Sequence, residues 1–416
     1  MNFFKTSALT SIAQASNIII GFISIKIVAV HIGAEGLGHT GQFNSFAAIV
    51  TILAGNGLGQ ALVKQIAESK TDAGEVKSVV STTLRMAVSL TFLTALVLTC
   101  FNEQLSVMLF NTPVYSDVLP YWSAILVFSI LHASLLSVLN GLGKIKALTL
   151  LGISNNIVTL GATIGLLYLF GIKGVMLSPY VAAILSLCVS LLYLRTTDRE
   201  TYQLLWGGNW NRKVFRTSAN IMAMATIAAI ILPIVHIRIR KEILANLSAA
   251  DAGLWQAVTR LSDYYLGFGS SVLAVYFLPK FASIKSRELL RKEVVSAHRI
   301  VVPVVIFLSL LIWLCRDLIL RIVFTPEFAA ARNLFGYQLF GDVIKIASWI
   351  LGYILWAKAL RNVFLVTEIF FGIVYGTLSI VLAKEVGLIG TVMSFPIAYA
   401  FYYTTLAVVL RRKKVI

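Results

Sequence analysis

Charge is scarce in this 416-residue chain: Asp, Glu, Lys and Arg together make up only 13% of it, with acid scarcer than base at 18 residues to 35. Soluble domains carry nearer a quarter. So little charge cannot clothe a water-facing surface of this size. With 58% apolar residues and a mean hydropathy of +0.86, the excess must face lipid. Cysteine is limited to Cys100, Cys188 and Cys315, each in or beside an apolar run, which excludes a disulfide framework and a cysteine metal site. The five histidines (His31, His39, His132, His236, His298) are scattered and no His-Glu-x-x-His occurs, so no metal is expected. A nucleotide-binding loop is missing too. Gly141-Leu142-Gly143-Lys144 ends like one, but no glycine stands five residues before Gly143, and Ile145 occupies the Ser/Thr position. The chain does not hydrolyse ATP by itself, and no cofactor is expected. The net charge of +17 does not indicate nucleic acid, because the long apolar stretches leave no globular domain to present a basic face.

What is present is a series of apolar stretches of membrane-spanning length. They fall at 6–31, 39–63, 78–101, 114–140, 147–170, 174–194, 216–237, 252–278, 300–315, 333–357, 362–383 and 387–410. That predicts about twelve spans. The first, seventh and tenth are weakened by charges, and the N-terminal stretch reads as a first span rather than a signal peptide. Cytoplasmic segments should collect Lys and Arg. With the N-terminus inside, 23 lie in inside segments, 8 in outside segments and four (Lys26, Arg85, Arg260, Lys345) within spans. Both termini are therefore expected in the cytoplasm, and most of the positive charge reflects topology.

The longest hydropathy break before the C-terminal half runs from Arg195 to Arg216 and contains Gly207-Gly208. The expected fold is an all-α membrane protein with six-helix lobes at 1–200 and 216–416, joined by a cytoplasmic loop at 201–215. Even span numbers make any repeat parallel, about a pseudo-two-fold axis along the membrane normal. A faint echo fits: Gly36-Leu37 precedes Gln42, and Gly253-Leu254 precedes Gln256. Residues 1–208 carry a net +3 and residues 209–416 a net +14, so the second half is the better candidate to grip an anion.

A charge inside a span costs roughly 2.5–3.5 kcal/mol and usually faces a bundle interior or an aqueous cavity. Lys26 lies well inside span one with no acid within a helical turn. Span seven ends in His236-Ile237-Arg238-Ile239-Arg240-Lys241, where His236 and Arg240 share a helix face and Arg238 points away. Gln256, Arg260 and Asp263 form a polar stripe in span eight. Gln338, Asp342 and Lys345 repeat its spacing in span ten with the charge order reversed.

Plainer readings stand beside these. Each stripe can neutralise itself through an intrahelical pair. The His236 to Lys241 cluster can snorkel to outer headgroups, although outside cations run against the side rule. Arg85 is most simply a cytoplasmic snorkelling anchor. With the stripes cancelled, Lys26, Arg238 and Arg240, with Lys241 as a further candidate, leave a positive cavity suited to phosphate or pyrophosphate, which Arg holds with paired hydrogen bonds. Trp255 and Tyr264-Tyr265 offer flat surfaces for sugar rings, or serve as interface and packing aromatics. Ala54-Gly55-Asn56-Gly57-Leu58-Gly59, Pro233 and Pro396 permit kinks that hinge the lobes, or simply close packing. The outside loops are short and leave little room for an acceptor site, which favours transport over catalysis.

Asp251-Ala252-Gly253-Leu254-Trp255-Gln256 with Leu261-Ser262-Asp263-Tyr264-Tyr265-Leu266, and Gln338-Leu339-Phe340-Gly341-Asp342-Val343-Ile344-Lys345 with Gly352-Tyr353 and Ala357-Lys358-Ala359, resemble the Wzx-type flippases of Gram-negative bacteria, which serve O-antigen and enterobacterial common antigen repeat units. The opening, with Gly33-Ala34-Glu35-Gly36-Leu37-Gly38 and Leu53-Ala54-Gly55-Asn56-Gly57, is similar in kind. The resemblance implies the multidrug/oligosaccharidyl-lipid/polysaccharide exporter superfamily, two lobes in a V, and alternating access. It also implies transfer of an undecaprenyl-pyrophosphate-linked oligosaccharide across the bacterial inner membrane by a multi-pass monomer. The polymerase and chain-length regulator of the same glycan pathway are the expected partners.

The carry-over lands on Trp255, Gln256, Asp263, Asp342 and Lys345. Lys26, Arg238, Arg240, Arg260 and Lys345 are the candidate substrate-binding cations. Asp263, Asp342 and His236 are the candidate gating or coupling groups, and Trp255, Gln256, Gln338 and Tyr264 the candidate sugar contacts. An ion-coupled exporter of small molecules with the same fold, and a membrane glycan polymerase or ligase, are the alternatives.

Overall fold

A computed structural model describes residues 3–69, 72–358 and 360–415. Lys70, used in the orientation count, and Ala359, at the end of one motif, lie outside the described residues. Helix accounts for almost everything described, with no strand among the described residues. The order is α1 (Phe3–Leu53), α2 (Gly59–Glu68), α3 (Ala73–Cys100), α4 (Asn102–Phe110), α5 (Val118–Leu142), α6 (Ile145–Thr197) and α7 (Arg199–Leu204). Then come α8 (Arg212–Asn246), α9 (Ala249–Val272), α10 (Leu278–Ser283), α11 (Arg287–Leu314) and α12 (Arg316–Val323). The chain finishes with α13 (Phe335–Ala357), α14 (Arg361–Val386) and α15 (Leu388–Arg412).

Among the described residues, nine helical segments are long and apolar enough to cross a bilayer. Two of them, α1 and α6, pass through a non-helical glycine, Gly33 (φ 64°, ψ −169°) and Gly171 (φ 57°, ψ −134°). Each is two helices end to end, and the breaks fall in the expected gaps at 31–39 and 170–174. Helix α9, bearing Asp251, Arg260 and Asp263, is not one of the nine. Large apolar side chains stay exposed along the spanning helices, with Phe92 and Leu169 each at 73%. Apolar cover of that extent is stable against lipid and not against water. The protein is a multi-pass membrane protein.

Local chemistry sets the boundaries. Asp72 Oδ1 accepts from the backbone N–H groups of Gly74 and Glu75 (2.8 and 3.1 Å) and starts α3; Ser248 Oγ accepts from Asp251 N (2.9 Å) and starts α9. The interruption expected at Gly55 is present: φ there is 122°, followed by one tight turn at Asn56–Leu58. Pro233 and Pro396 remain inside α8 and α15.

By contact the chain divides into two units, Met1–Val28 with Gln42–Pro233, and Ala29–Gly41 with Ile234–Ile416. The cut in α8 falls directly after Pro233. In the N-terminal unit, Leu62, Ile66, Val79, Val80 and Val138 join α2, α3 and α5. Fully buried Trp122 is boxed by Phe43 and Tyr180, with ring centroids 5.0 and 5.2 Å away. In the C-terminal unit α13 packs against α9, α11 and α15. There the segment 29–41 lies so close to α9 that a Cβ on Gly253 would fall 1.8 Å from Ala34 O. The segments bearing the two Gly-Leu pairs thus pack on one another.

Each unit contains a hairpin of the same construction. In α6, Gly171 turns the chain, Gly174 lies where a Cβ would be 2.0 Å from Leu166 O, and Thr163 and Ser178 hydroxyls meet at 2.9 Å. Between α14 and α15, Gly387 (φ 71°) turns the chain, a Cβ on Gly390 would be 1.9 Å from Leu382 O, and Ser379 and Ser394 meet at 2.6 Å. Equivalent residues keep a constant offset, the mark of an internal repeat.

Candidate functional site

The second half of α8 and the first half of α9 belong to the C-terminal unit and hold the first buried cation. Arg240 is 1% exposed. Its guanidinium donates to Gln256 Oε1 and lies 5.0 Å from the centroid of the Trp255 ring, a cation–π seat strengthened by the lack of water. His236, one turn earlier, meets Trp255 edge-on at 5.3 Å and Tyr375 at 6.4 Å. Arg238 is exposed. The face-sharing expected of His236 and Arg240, with Arg238 turned away, is what the helix presents. Gln256 fits only because Gly41 lacks a side chain: a Cβ there would lie 2.5 Å from Gln256 Oε1.

The two polar stripes meet between α9 and α13, and their charges do not pair within their own helices as the plainer reading had it. Asp342, wholly buried, accepts hydrogen bonds from Ser262 (2.6 Å), Tyr265 (2.7 Å) and Gln338 (3.3 Å). Lys345, 6% exposed, pairs instead across the helix interface with Asp263 at 3.9 Å. Its ammonium also lies 5.1 Å from the Trp349 ring centroid and 5.7 Å from that of Phe395. Arg260 sits 5.9 Å from the Tyr264 ring centroid. The reason is geometric. Three hydrogen-bond donors already occupy the Asp342 carboxylate, whereas the Asp263 side chain is 52% exposed and free to meet a partner from α13.

Among the sequence-selected residues, those on α8, α9 and α13 gather in the C-terminal unit. Lys26 belongs to the N-terminal unit and is exposed. Ser262 and Tyr375 carry no charge and so give no signal in a span, and Tyr265, read as a flat surface for sugar, instead donates to Asp342. Glu368 escaped selection although it is an acid inside the stretch 362–383, which was signal enough. It accepts from the Tyr402 hydroxyl and lines a cavity of about 360 Å³ with Trp349, Tyr353 and Trp356. Among the described residues no group of three His, Cys, Asp or Glu is placed to hold a metal ion.

Membrane-spanning helices built as repeated bundles, with buried cations seated on aromatic rings, define a transporter architecture. The fold matches an inward-facing multidrug resistance MATE family transporter of the MOP superfamily, with a TM-score of 0.84 at 12% identity over 97% of this chain and 98% of that one. It also matches the lipid II flippase MurJ in its inward closed conformation, with a TM-score of 0.74 at 14% identity over 99% and 89%. The chain belongs to the polysaccharide biosynthesis protein family, whose model matches residues 3–285. It is 27% identical over 378 residues to the lipid III flippase of Escherichia coli strain K12, covering 89% of this chain and 88% of that protein.

Proposed function

We propose that this protein is a flippase that carries an undecaprenyl-pyrophosphate-linked oligosaccharide repeat unit, of O-antigen or enterobacterial common antigen type, from the cytoplasmic to the periplasmic leaflet of the bacterial inner membrane. The observation that carries the reading is the pair of buried cations, Arg240 and Lys345. Each charge costs roughly 2.5–3.5 kcal/mol at membrane depth, so a purpose beyond packing is called for. Arg240 is seated on Trp255 and Gln256, and Lys345 lies between aromatic rings beside the half-exposed Asp263, and pyrophosphate suits a site with such cations. The similarity to proteins named lipid III and lipid II flippases supports the same reading.

Lys26, Arg238, Arg240, Arg260 and Lys345 attract and hold the anionic part of the substrate. Trp255, Gln256, Gln338 and Tyr264 contact sugar, and Asp263, Asp342 and His236 gate the site and couple it to an ion gradient. Twelve spans with cytoplasmic termini, grouped as lobes 1–200 and 216–416 about the loop 201–215, carry out alternating access. The chain works as a monomer alongside the polymerase and chain-length regulator of its pathway.

Complementation of a flippase-null strain tests this. Wild-type protein should restore surface glycan, and Arg240→Gln and Lys345→Gln should each abolish restoration while still inserting. Loss of the protein should leave lipid-linked repeat units on the cytoplasmic face. Accumulation on the periplasmic face indicates a polymerase instead, and export of small organic cations with no effect on lipid-linked saccharide indicates a drug exporter.

A further inference from the structure

The N-terminal unit contains a groove of about 630 Å³ that none of the roles above uses. Its walls come from the end of α1 at Leu53, from α3 at Met86 and Leu90, and from the first half of α8 at Phe215, Met222 and Ile227. Set among these apolar residues is one cation, Arg85, and no acid lines the groove among the described residues. No acid lies within a helical turn of Arg85 along α3 either, and its side chain is exposed. Thr226 also lines the groove, and its buried hydroxyl has no hydrogen-bond partner among the described residues. At the start of α8 stand Trp210 and Phe215, with ring centroids 5.4 Å apart, an amphipathic pair of the kind that settles at headgroup depth.

A free anion would account for Arg85 and leave the apolar walls without purpose. A hydrocarbon chain alone would account for the walls and leave a charge unmatched. A lipid headed by phosphate answers both. We infer that this groove is an entry site that binds the prenyl pyrophosphate end of the substrate lipid before its anionic part reaches Arg240 and Lys345, with Arg85 on the pyrophosphate and the walls of α3 and α8 around the first isoprene units. The inference rests on the flippase reading. A single-chain lipid with two linked phosphates fits one groove and one guanidinium fork better than a phospholipid, which must place two chains. Snorkelling would aim Arg85 at any cytoplasmic headgroup; the groove makes it selective.

The test uses full-length protein in nanodiscs of phosphatidylethanolamine and phosphatidylglycerol, with a photoreactive, sugar-free polyprenyl pyrophosphate as probe. Labelling should map to α3 near Arg85 and to α8 near Met222. Arg85→Gln should weaken probe binding about tenfold, the loss of one charge-assisted contact, and leave binding of the corresponding polyprenol unchanged. Ala223→Trp, filling the groove from α8, should weaken both, and Ser89→Trp should do the same from α3, so that a fold defect in one variant is separable from a filled groove. Equal competition by phosphatidylglycerol, or labelling insensitive to all three changes, overturns the inference. Translocation of a lipid-linked oligosaccharide in proteoliposomes separates the two readings. Translocation with an unlabelled groove removes the groove alone, whereas no translocation and no probe binding anywhere removes the flippase reading with it.

Discussion

Asp342 is held from three directions, by Ser262, Tyr265 and Gln338, while Asp263, the nearer partner of Lys345, is half in solvent. The two carboxylates should therefore respond differently to neutralisation. Asp342→Asn exchanges an acceptor for an amide in a buried network and should lower stability by about 1.5–3 kcal/mol. Asp263→Asn removes a half-exposed ion pair and should change stability by less than about 1 kcal/mol. Thermal unfolding in detergent checks this, and equal losses would show the pairing to be otherwise. His236, Arg240, Gln256 and Lys345 were legible in the sequence because charge and amide groups are conspicuous in apolar spans. Tyr265 was legible only as an aromatic surface, because a tyrosine in a span looks the same whether it packs against lipid or donates to a buried acid.

The repeated hairpins tie elements together through backbone contact, which makes their glycines specific. Gly174→Ala and Gly390→Ala each place a methyl against a carbonyl oxygen of the preceding helix, an overpacking that should lower stability by about 1–3 kcal/mol. Gly161→Ala, on the same helix as Gly174 but with nothing within 4 Å, should be neutral or slightly stabilising. Comparable losses at all three positions would refute the close-approach argument.

Just past the C-terminal end of α6, Asp198 ties the residue that precedes that helix to α7: it accepts from Lys144 Nζ at 2.9 Å and from the Thr201 hydroxyl at 2.9 Å. Burial raises its pKa, but the hydrogen bonds from Lys144 and Thr201 outweigh this and hold it below the usual carboxylate range. A depressed folded pKa means the stabilisation is complete above the unfolded value of about 3.9 and fades as pH falls through the folded one. The unfolding difference between wild type and Asp198→Asn should stay constant from neutral to mildly acidic pH and shrink only in stronger acid. A difference that vanishes near neutrality would show that the carboxylate is not the cause.

At the scale of the whole molecule, the expected twelve-span topology places Trp206 inside and Lys384 outside. On a cysteine-free background, Lys384→Cys should react with a membrane-impermeant maleimide in intact cells, and Trp206→Cys only after permeabilisation. Either result reversed would overturn the topology.

The sequence by itself determined the solvent, the helical class and the breaks at Gly33, Gly55 and Gly171. All of these follow from composition or from local backbone chemistry. Only the tertiary structure decided that Lys345 pairs with Asp263 rather than with Asp342, that Arg240 rests on Trp255, and that the Gly253 face packs against Ala34. Those choices depend on which helix faces meet, and a partner on another helix can outcompete one a single turn away when the nearer group already accepts three hydrogen bonds. The few cations that the sequence leaves inside spans take their meaning from neighbours far along the chain.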